Sequence, residues 1–296
     1  MKSNYDIIIP HKNTPDLLQR CLNSIPERDD VHVIIVDDNS DPKIVDFDRF
    51  PGLNNKQVEV IFDKTEKGAG HARNIGIAKA RAKWLIFADS DDYFSPLLDD
   101  KLNIYLDSEY DIIFFGIDSV YSDTLLPSNR RANYDRKYYK AIDTGNYDIL
   151  RYKMNEPWAK IISLKLVIDN GVRFDEVPVS NDVMFALKLG YHANSIYADR
   201  DIVYITTQRV GSLTTIINKD KLWCRYNVAL CVNQFLYENK KSKYHVNLFS
   251  YIQKSAKVNL FCTLKIFLYS CLHTPMKYIF IDVYRCFLAV LSKVRS

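Results

Sequence analysis

Glycine and proline are scarce in this 296-residue chain, at nine and ten residues. That scarcity excludes collagen-like and low-complexity disordered sequences. No pair among the six cysteines has Cys-x-x-Cys spacing, and five of them (Cys224, Cys231, Cys262, Cys271 and Cys286) fall near the C-terminus. Neither a zinc site nor a disulfide framework is expected, and reduced thiols in a cytosolic protein are. No run approaches the roughly 18 consecutive apolar residues of a membrane-spanning helix. Beyond Lys254 the longest uncharged stretch, 266–276, contains His273 and Pro275. Met-Lys-Ser-Asn leads straight into an apolar run, so no secretory signal is expected. What is present is ordinary for a globular chain: 47% apolar and 26% charged residues, with 20 Tyr and 15 Phe. The length suits two average domains, or one large α/β domain with an appendage.

Charge is unevenly placed. The net charge is +4, but residues 219–296 hold thirteen Lys/Arg against three Asp/Glu. Such asymmetry points to different partners for the two parts, the basic part suiting nucleic acid or an anionic membrane surface. No nucleic-acid recognition motif occurs there, so nucleic acid is not expected as a partner.

Continuously apolar runs alternate with helical patterns. Tyr5–Pro10 reads as a buried strand, followed by a helix with Leu17, Leu18, Cys21, Leu22 and Ile25 on its apolar face and Thr14 or Asp16 as cap. Strands follow at Val31–Val36, Val58–Phe62, Trp84–Ala88 and Ile112–Phe115, with a helix from about Ala72 to Lys83. The alternation predicts an α/β fold with a mostly parallel sheet covered by helices. Residues 117–157 are polar and tyrosine-rich, with weak periodicity. Residues 158–205 are mixed, and from about 219 the pattern is helical.

Two strands run directly into acid: Val36 into Asp37-Asp38-Asn39-Ser40, and Ala88 into Asp89-Ser90-Asp91-Asp92. Ligands of open α/β sheets bind beyond the carboxyl ends of the strands. Asp89-x-Asp91 offers oxygen ligands to a hard divalent cation; an Asx-turn or helix cap is the plainer reading. Asp37 or Asp38 can accept from a nucleobase N–H or a ribose hydroxyl, or belong to a solvated turn. Arg73 opens a helix, where phosphate is favoured, or forms a surface ion pair. It also occupies the third glycine position of a G-x-G-x-x-G reading of Gly68 and Gly70, which excludes that dinucleotide fingerprint.

These pieces, in this order, resemble the family 2 glycosyltransferases of the GT-A fold. The resemblance rests on Ile8-Ile9-Pro10-His11-Lys12-Asn13, Leu18 to Ile25, Val36-Asp37-Asp38-Asn39-Ser40, Gly68 to Gly76 and Ala88 to Asp92. It continues through Trp158-Ala159-Lys160, Gly171 to Glu176, Asn181-Asp182 with Phe185, and Arg209 to Ser212, covering roughly residues 5–215. Lys12 stands where the family has an aromatic residue, Asn39 where it has glycine, and Asn181 where it has an acid.

The resemblance implies an inverting enzyme that moves a sugar from a nucleotide-sugar, UDP-linked at family level, to a hydroxyl of a saccharide or lipid-linked saccharide. It places such enzymes in bacterial surface polysaccharide synthesis. It implies a GT-A domain over 1–218, with a nucleotide-binding half at 1–95 and an acceptor half at 96–218. Pro10, His11, Asn13, Asp37, Asp38, Arg73, Asp89 and Ser90 would bind the nucleotide. Asp91 with Asp89 would hold Mn²⁺ or Mg²⁺. Asp182 would be the general base, or a helix N-cap. Trp158, Lys160 and Arg209 would serve the acceptor or diphosphate side. The alternatives are a sugar nucleotidyltransferase, against which the glycine-poor Pro10–Asp16 turn argues, and an inactive sugar-nucleotide-binding scaffold.

Outside the resemblance, 219–296 reads as a basic amphipathic helical tail. Lys254, Lys257 and Lys265 are expected to share one helical stripe, and Asp282, Arg285 and Lys293 a second. Wide apolar faces between them (Leu260, Phe261, Ile266, Phe267, Leu268; Tyr278, Ile279, Phe280, Phe287, Leu288) suit helices lying in a membrane interface. The competing expectation is packing on protein, including a second subunit. The enzyme is expected in the cytoplasm, peripheral to the cytoplasmic face of the membrane.

Overall fold

The computed structural model describes residues 3–209, 218–256, 259–276 and 278–284. The chain divides into two compact units, Met1–Val177 with Asn181–Val210, and Pro178–Ser180 with Gly211–Ser296.

The first unit opens with β1 (Tyr5–His11), α1 (Pro15–Asn23), β2 (Val31–Asp38), β3 (Val58–Asp63), α2 (Ala69–Lys79) and β4 (Trp84–Phe87). It continues with β5 (Tyr93–Phe94), α3 (Leu97–Tyr105), β6 (Ile112–Tyr121), α4 (Ala132–Thr144) and α5 (Asp148–Lys153). β7 (Lys160–Ser163), α6 (Leu164–Asp169), α7 (Val183–His192) and β8 (Ile196–Gln208) complete it. The strands form one sheet in the order β3-β2-β1-β4-β7-β6-β8-β5. β1 to β4 are mutually parallel, β7 is antiparallel to both β4 and β6, and β8 runs parallel to β6. This is the mostly parallel α/β sheet that the strand alternation predicts.

β1 is buried at every residue, because β2 and β4 pair with it on both sides. The chain moves outward from β1 to β2 and β3, then returns to β4 on the other side of β1. That reversal opens a crevice at the carboxyl ends of β1, β2 and β4. Both acidic runs leave the sheet there.

The α2 helix starts three residues earlier than the sequence pattern indicates, behind Gly68 at φ 88°. It stops at Lys79 because the next amides are taken: Arg81 and Ala82 N–H donate to the buried Asp6 carboxylate at 2.6 and 2.7 Å. The tyrosine-rich middle segment is organised by its tyrosines. Tyr134 and Tyr138 of α4 are buried, and their hydroxyls donate to the carbonyls of Phe115 and Phe114 at 2.7 and 3.0 Å. Residues that count as half-polar in a hydropathy pattern are the core face of this helix.

The second unit contains α8 (Lys219–Glu238), a 3₁₀ turn at Ser242–Tyr244, α9 (Ser250–Ala256) and α10 (Leu260–His273), and residues 278–284 are helical. Leu222, Tyr226, Ala229, Leu248, Cys262 and Ile266 form its core. The Asn233 side chain locks Val246, donating to its carbonyl at 2.8 Å and accepting from its N–H at 2.6 Å.

Among the described residues the two expected charge stripes do not form. Lys254 lies on α9 and Lys265 on α10, because Asn259 restarts the helix by accepting from Cys262 N–H at 2.9 Å. Asp282 is buried and meets His245 Nε2 at 2.8 Å instead of facing outward. Lys257, Arg285, Phe287, Leu288 and Lys293 lie outside the described residues. Among the described cysteines none is bonded to another; Cys21 and Cys262 are buried thiols, and Cys231 and Cys271 are exposed.

One glycine fixes how closely α2 approaches the sheet. A Cβ on Gly76 would lie 2.4 Å from Ile8 Cγ2 in the centre of β1. Overpacking a buried contact costs about 1–3 kcal/mol, against roughly 1 kcal/mol gained by alanine over glycine in a helix. Gly76→Ala should therefore lower the midpoint of thermal or urea unfolding. An unchanged midpoint would show that this contact is loose.

Candidate active site

At the end of β1 and β2, His11 Nδ1 and Asp37 Oδ1 lie 2.8 Å apart, and both side chains are fully buried. Thr14 N–H donates to His11 Nε2 at 3.1 Å. Nε2 is therefore unprotonated, and the ring proton on Nδ1 goes to Asp37. Asp37 also accepts from the backbone N–H of Ser40 at 3.0 Å and from its hydroxyl at 2.5 Å. Burial pushes the Asp37 carboxyl up, but these donors outweigh it and hold it below the ordinary range. Asp37 and His11 thus spend their polar atoms on each other and on the loop.

Asp38 accepts from Gly68 N–H at 3.0 Å with Oδ1, and its Oδ2 faces Lys12 at 3.7 Å. Asn13 and Asn39 both take left-handed backbone angles, φ 56° and 55°. Asparagine tolerates that region, so Asn39 can fill a glycine position. Asn13 further ties the loop, donating its backbone N–H to Ser40 Oγ at 2.9 Å and accepting from Asp41 N–H at 2.8 Å. Pro10 pairs with Val36 in the register that brings these loops together.

Each marked position of α2 has a separate physical task. A Cβ on Gly70 would lie 2.2 Å from the Asp175 carbonyl oxygen, so only glycine permits the 175–181 loop to approach. Asn74 clamps Phe174, donating to its carbonyl and accepting from its N–H, both at 2.9 Å. Arg73 is buried over the Phe174 ring and donates to Asp89 Oδ1 at 2.5 Å and to Asn181 Oδ1 at 3.1 Å. Arg73 therefore joins the acidic loop after β4 to the residue preceding Asp182.

The loop after β4 brings one oxygen each of Asp89, Asp91 and Asp92 within 4.8 Å of one another. β5 pairs with β8 and lays this loop against Thr207, whose N–H donates to Asp92 Oδ1 at 2.6 Å and whose hydroxyl donates to the Asp91 carbonyl at 2.7 Å. Asp92 Oδ2 is buried with no hydrogen-bond partner. Burial and the charge of Asp89 push Asp91 up, and burial with the charges of Asp91 and Asp89 pushes Asp92 well up. Arg209, whose Nε lies 3.3 Å from Asp91 Oδ2, opposes the rise of Asp91, and Arg130 opposes that of both. A cluster with surplus negative charge and an unpartnered buried oxygen fits a hard divalent cation in its donor chemistry. Ser90 is buried and its hydroxyl meets that of Thr14 at 3.3 Å.

Asp182 occupies the N-cap position of α7, yet its side chain makes no capping hydrogen bond. Burial pushes its carboxyl up to about 6, Arg73 opposing and Glu156 and Asp89 adding to the rise. Lys160 is buried, donating to the carbonyls of Met154, at 3.1 Å, and Glu156. Burial pushes it down to about 8, with the charges of Glu156 and Asp182 resisting. Trp158 stacks on Tyr204 at 5.3 Å, and the Tyr204 hydroxyl accepts from Asp89 N–H at 2.9 Å. Arg73, Asp89, Asp91 and Asp182 are thus one neighbourhood. His11, Trp158 and Lys160 support it from within the protein.

Three contributors escaped the sequence reading. Asp92 was in plain view as the third carboxylate of Asp89-Ser90-Asp91-Asp92. Arg130 and Thr207 carry no local signal, since only the fold of β8 and the segment before α4 brings them to the loop.

A sheet of this topology, with acid at the ends of β2 and β4, defines a GT-A-type fold. The chain belongs to glycosyl transferase family 2, which matches residues 6–158. The poly(ribitol-phosphate) beta-N-acetylglucosaminyltransferase TarS of Staphylococcus aureus strain Mu50 is 25% identical over 222 residues, covering 70% of this chain. The chain spans 36% of that relative's length. The crystal structure of S. aureus TarS 1–349 in complex with UDP-GlcNAc superposes with a TM-score of 0.68 at 22% identity, covering 90% of this chain and 79% of that one. The mannosyltransferase PcManGT from Pyrobaculum calidifontis, in complex with GDP-Man and Mn²⁺, gives a TM-score of 0.55 at 14% identity, covering 98% and 86%.

The acidic cluster gives a signed expectation. Asp91 and Asp92 titrate higher folded than unfolded, so the folded chain holds more protons between the two values. Stability contributed by this cluster therefore falls as pH rises from the unfolded carboxylate value through the folded ones. Mn²⁺ should raise the melting temperature more at pH 7 than at pH 5, and Asp91→Ala should abolish most of that shift. An equal Mn²⁺ shift in parent and variant would show that Asp91 is no cation ligand.

Proposed function

We propose that this chain is an inverting, divalent-metal-dependent glycosyltransferase. It moves a sugar from a UDP-sugar to a hydroxyl of a saccharide or lipid-linked saccharide in the cytoplasm, within bacterial surface polysaccharide synthesis. The observation that carries this reading is the Arg73 bridge, which ties Asp89 of the acidic cluster to Asn181 beside Asp182. A donor diphosphate group and an acceptor base are needed within one small volume, and this bridge brings both kinds of carboxylate there.

Residues 1–95 form the nucleotide half in this reading, 96–218 the acceptor half, and 219–296 a separate tail. Asp38 accepts from the base or ribose, the Pro10–Asn13 turn lines the nucleotide, and Ser90 lies beneath it. The UDP linkage follows the UDP-GlcNAc complex of the structural neighbour. Asp91 and Asp89, with Asp92 behind them, would hold Mn²⁺ or Mg²⁺. That cation supplies Lewis-acid stabilisation of the departing diphosphate when bound.

The chain's own groups account for the proton. Asp182, raised to about 6, is ionised at neutral pH yet basic enough to accept a hydroxyl proton. The acceptor oxygen bonds to the anomeric carbon as its proton passes to Asp182. The bond from that carbon to the diphosphate oxygen breaks, and its electron pair leaves with the nucleotide. Attack opposite the leaving group inverts the centre. Arg73 holds the Asp182 loop in place and lowers the base enough to keep it ionised.

The pH dependence follows in sign: a base must be deprotonated, so kcat should fall as pH drops through about 6. Asp182→Asn should leave donor affinity intact and lower kcat by about a hundredfold or more, the range of general base catalysis. Donor affinity by calorimetry, with turnover on a panel of UDP-sugars and Mn²⁺, tests both parts. Weakened affinity with normal kcat would reassign Asp182 to binding.

A further inference from the structure

Twelve of the twenty-two exposed large apolar side chains among the described residues lie in 260–284. The other ten are scattered through the first unit. Scattered single residues are normal on a protein surface, whereas a contiguous exposed apolar patch marks an interaction site. Cys262, Ile266 and Ser270 form the buried face of α10. Leu260, Phe261, Leu264, Phe267, Leu268 and Leu272 face outward, with exposures from 44% to 78%. A helix that seats one face in its own unit and leaves a wider, more apolar face open has a second environment to meet.

Charge identifies that environment. The tail carries thirteen basic and three acidic side chains. One of the three acids, Asp282, is buried against His245, which leaves Asp220 and Glu238 on α8. The α10 helix carries no acid, and its one formally charged position is Lys265. A second copy would bring an equal basic surplus to a self-complementary contact, and like charges across an interface are repulsive. An anionic lipid surface is complementary to both features, taking apolar side chains among its acyl chains and Lys/Arg among its headgroups. The geometry is that of a helix lying in the surface: α10 has 14 residues, and no described helix is long and apolar enough to cross a membrane.

We propose that the outer face of α10 docks the protein in the plane of an anionic bilayer surface. Leu264, Phe267, Leu268 and Leu272 insert, and the basic side chains of the unit lie at headgroup level. The proposal goes beyond the catalytic reading and does not rest on it, since docking requires no turnover.

Flotation of the full chain with vesicles tests it, comparing phosphatidylcholine alone with an equimolar phosphatidylcholine–phosphatidylglycerol mixture at low and high salt. The variant Leu264→Gln/Leu268→Gln/Leu272→Gln replaces exposed side chains, so its far-UV circular dichroism and melting temperature should match the parent. The parent should float with the anionic vesicles and less with the neutral ones. High salt should weaken that binding, and the triple variant should lose about tenfold or more, as expected when insertion of apolar area provides much of the affinity. Equal flotation of parent and variant would overturn the proposal, as would a parent that floats with neither vesicle. Sedimentation velocity gives the remaining decision. A parent dimer that the triple variant converts to monomer would assign the face to a second copy and overturn lipid docking.

Discussion

Three carboxylates held within 4.8 Å of one another repel unless a cation or protons intervene, and much of the first unit is arranged around that repulsion. Arg209 lends charge to Asp91, Arg130 to both Asp91 and Asp92, and Arg73 takes Asp89. The β5–β8 pairing then fixes the loop backbone through Thr207, and Arg20 donates to the Asp91 carbonyl at 2.7 Å. A free-standing acidic loop would relax its charges apart. Here β8 and three elements in front of it prevent that, so the charge deficit is built into the fold and does not depend on a ligand.

The same constraint explains why α2 is so particular in sequence. Arg73 can bridge Asp89 and Asn181 only if the 175–181 loop lies hard against the helix. That needs a missing Cβ at Gly70 and the two-way clamp of Asn74 on Phe174. Gly76 solves the matching problem on the other face, against Ile8. The motif is four local answers to one packing demand, and its apparent resemblance to a phosphate-binding glycine loop is a matter of composition alone.

The acid-tipped strands were legible because burial on both faces gives unbroken apolar runs that end abruptly. Asp182 is singled out in the sequence by resemblance alone, and its missing cap bond and raised carboxyl are visible only in the structure. The middle segment was opaque because α4 builds its buried face from Tyr134 and Tyr138, whose hydroxyls find strand carbonyls. The tail was misread where one asparagine, Asn259, outweighed a continuous apolar pattern and restarted the helix. His11 and Asp37 looked like ligand-facing groups in sequence. Only the structure pairs them inside the protein, where they stiffen the turn that carries Asn13 and Asp38.

The aromatic column beneath the acidic loop has an optical consequence. Trp158 stacks on Tyr204, and the Tyr204 hydroxyl holds the backbone N–H of Asp89. A change in charge or position at Asp89 reaches an indole through one hydrogen bond and one ring contact. Of the three tryptophans, Trp84 is buried at the start of β4 and Trp223 belongs to the second unit. Trp158 is therefore the tryptophan placed to report on the acidic loop, and a change there is expected in its emission and near-ultraviolet dichroism without any label.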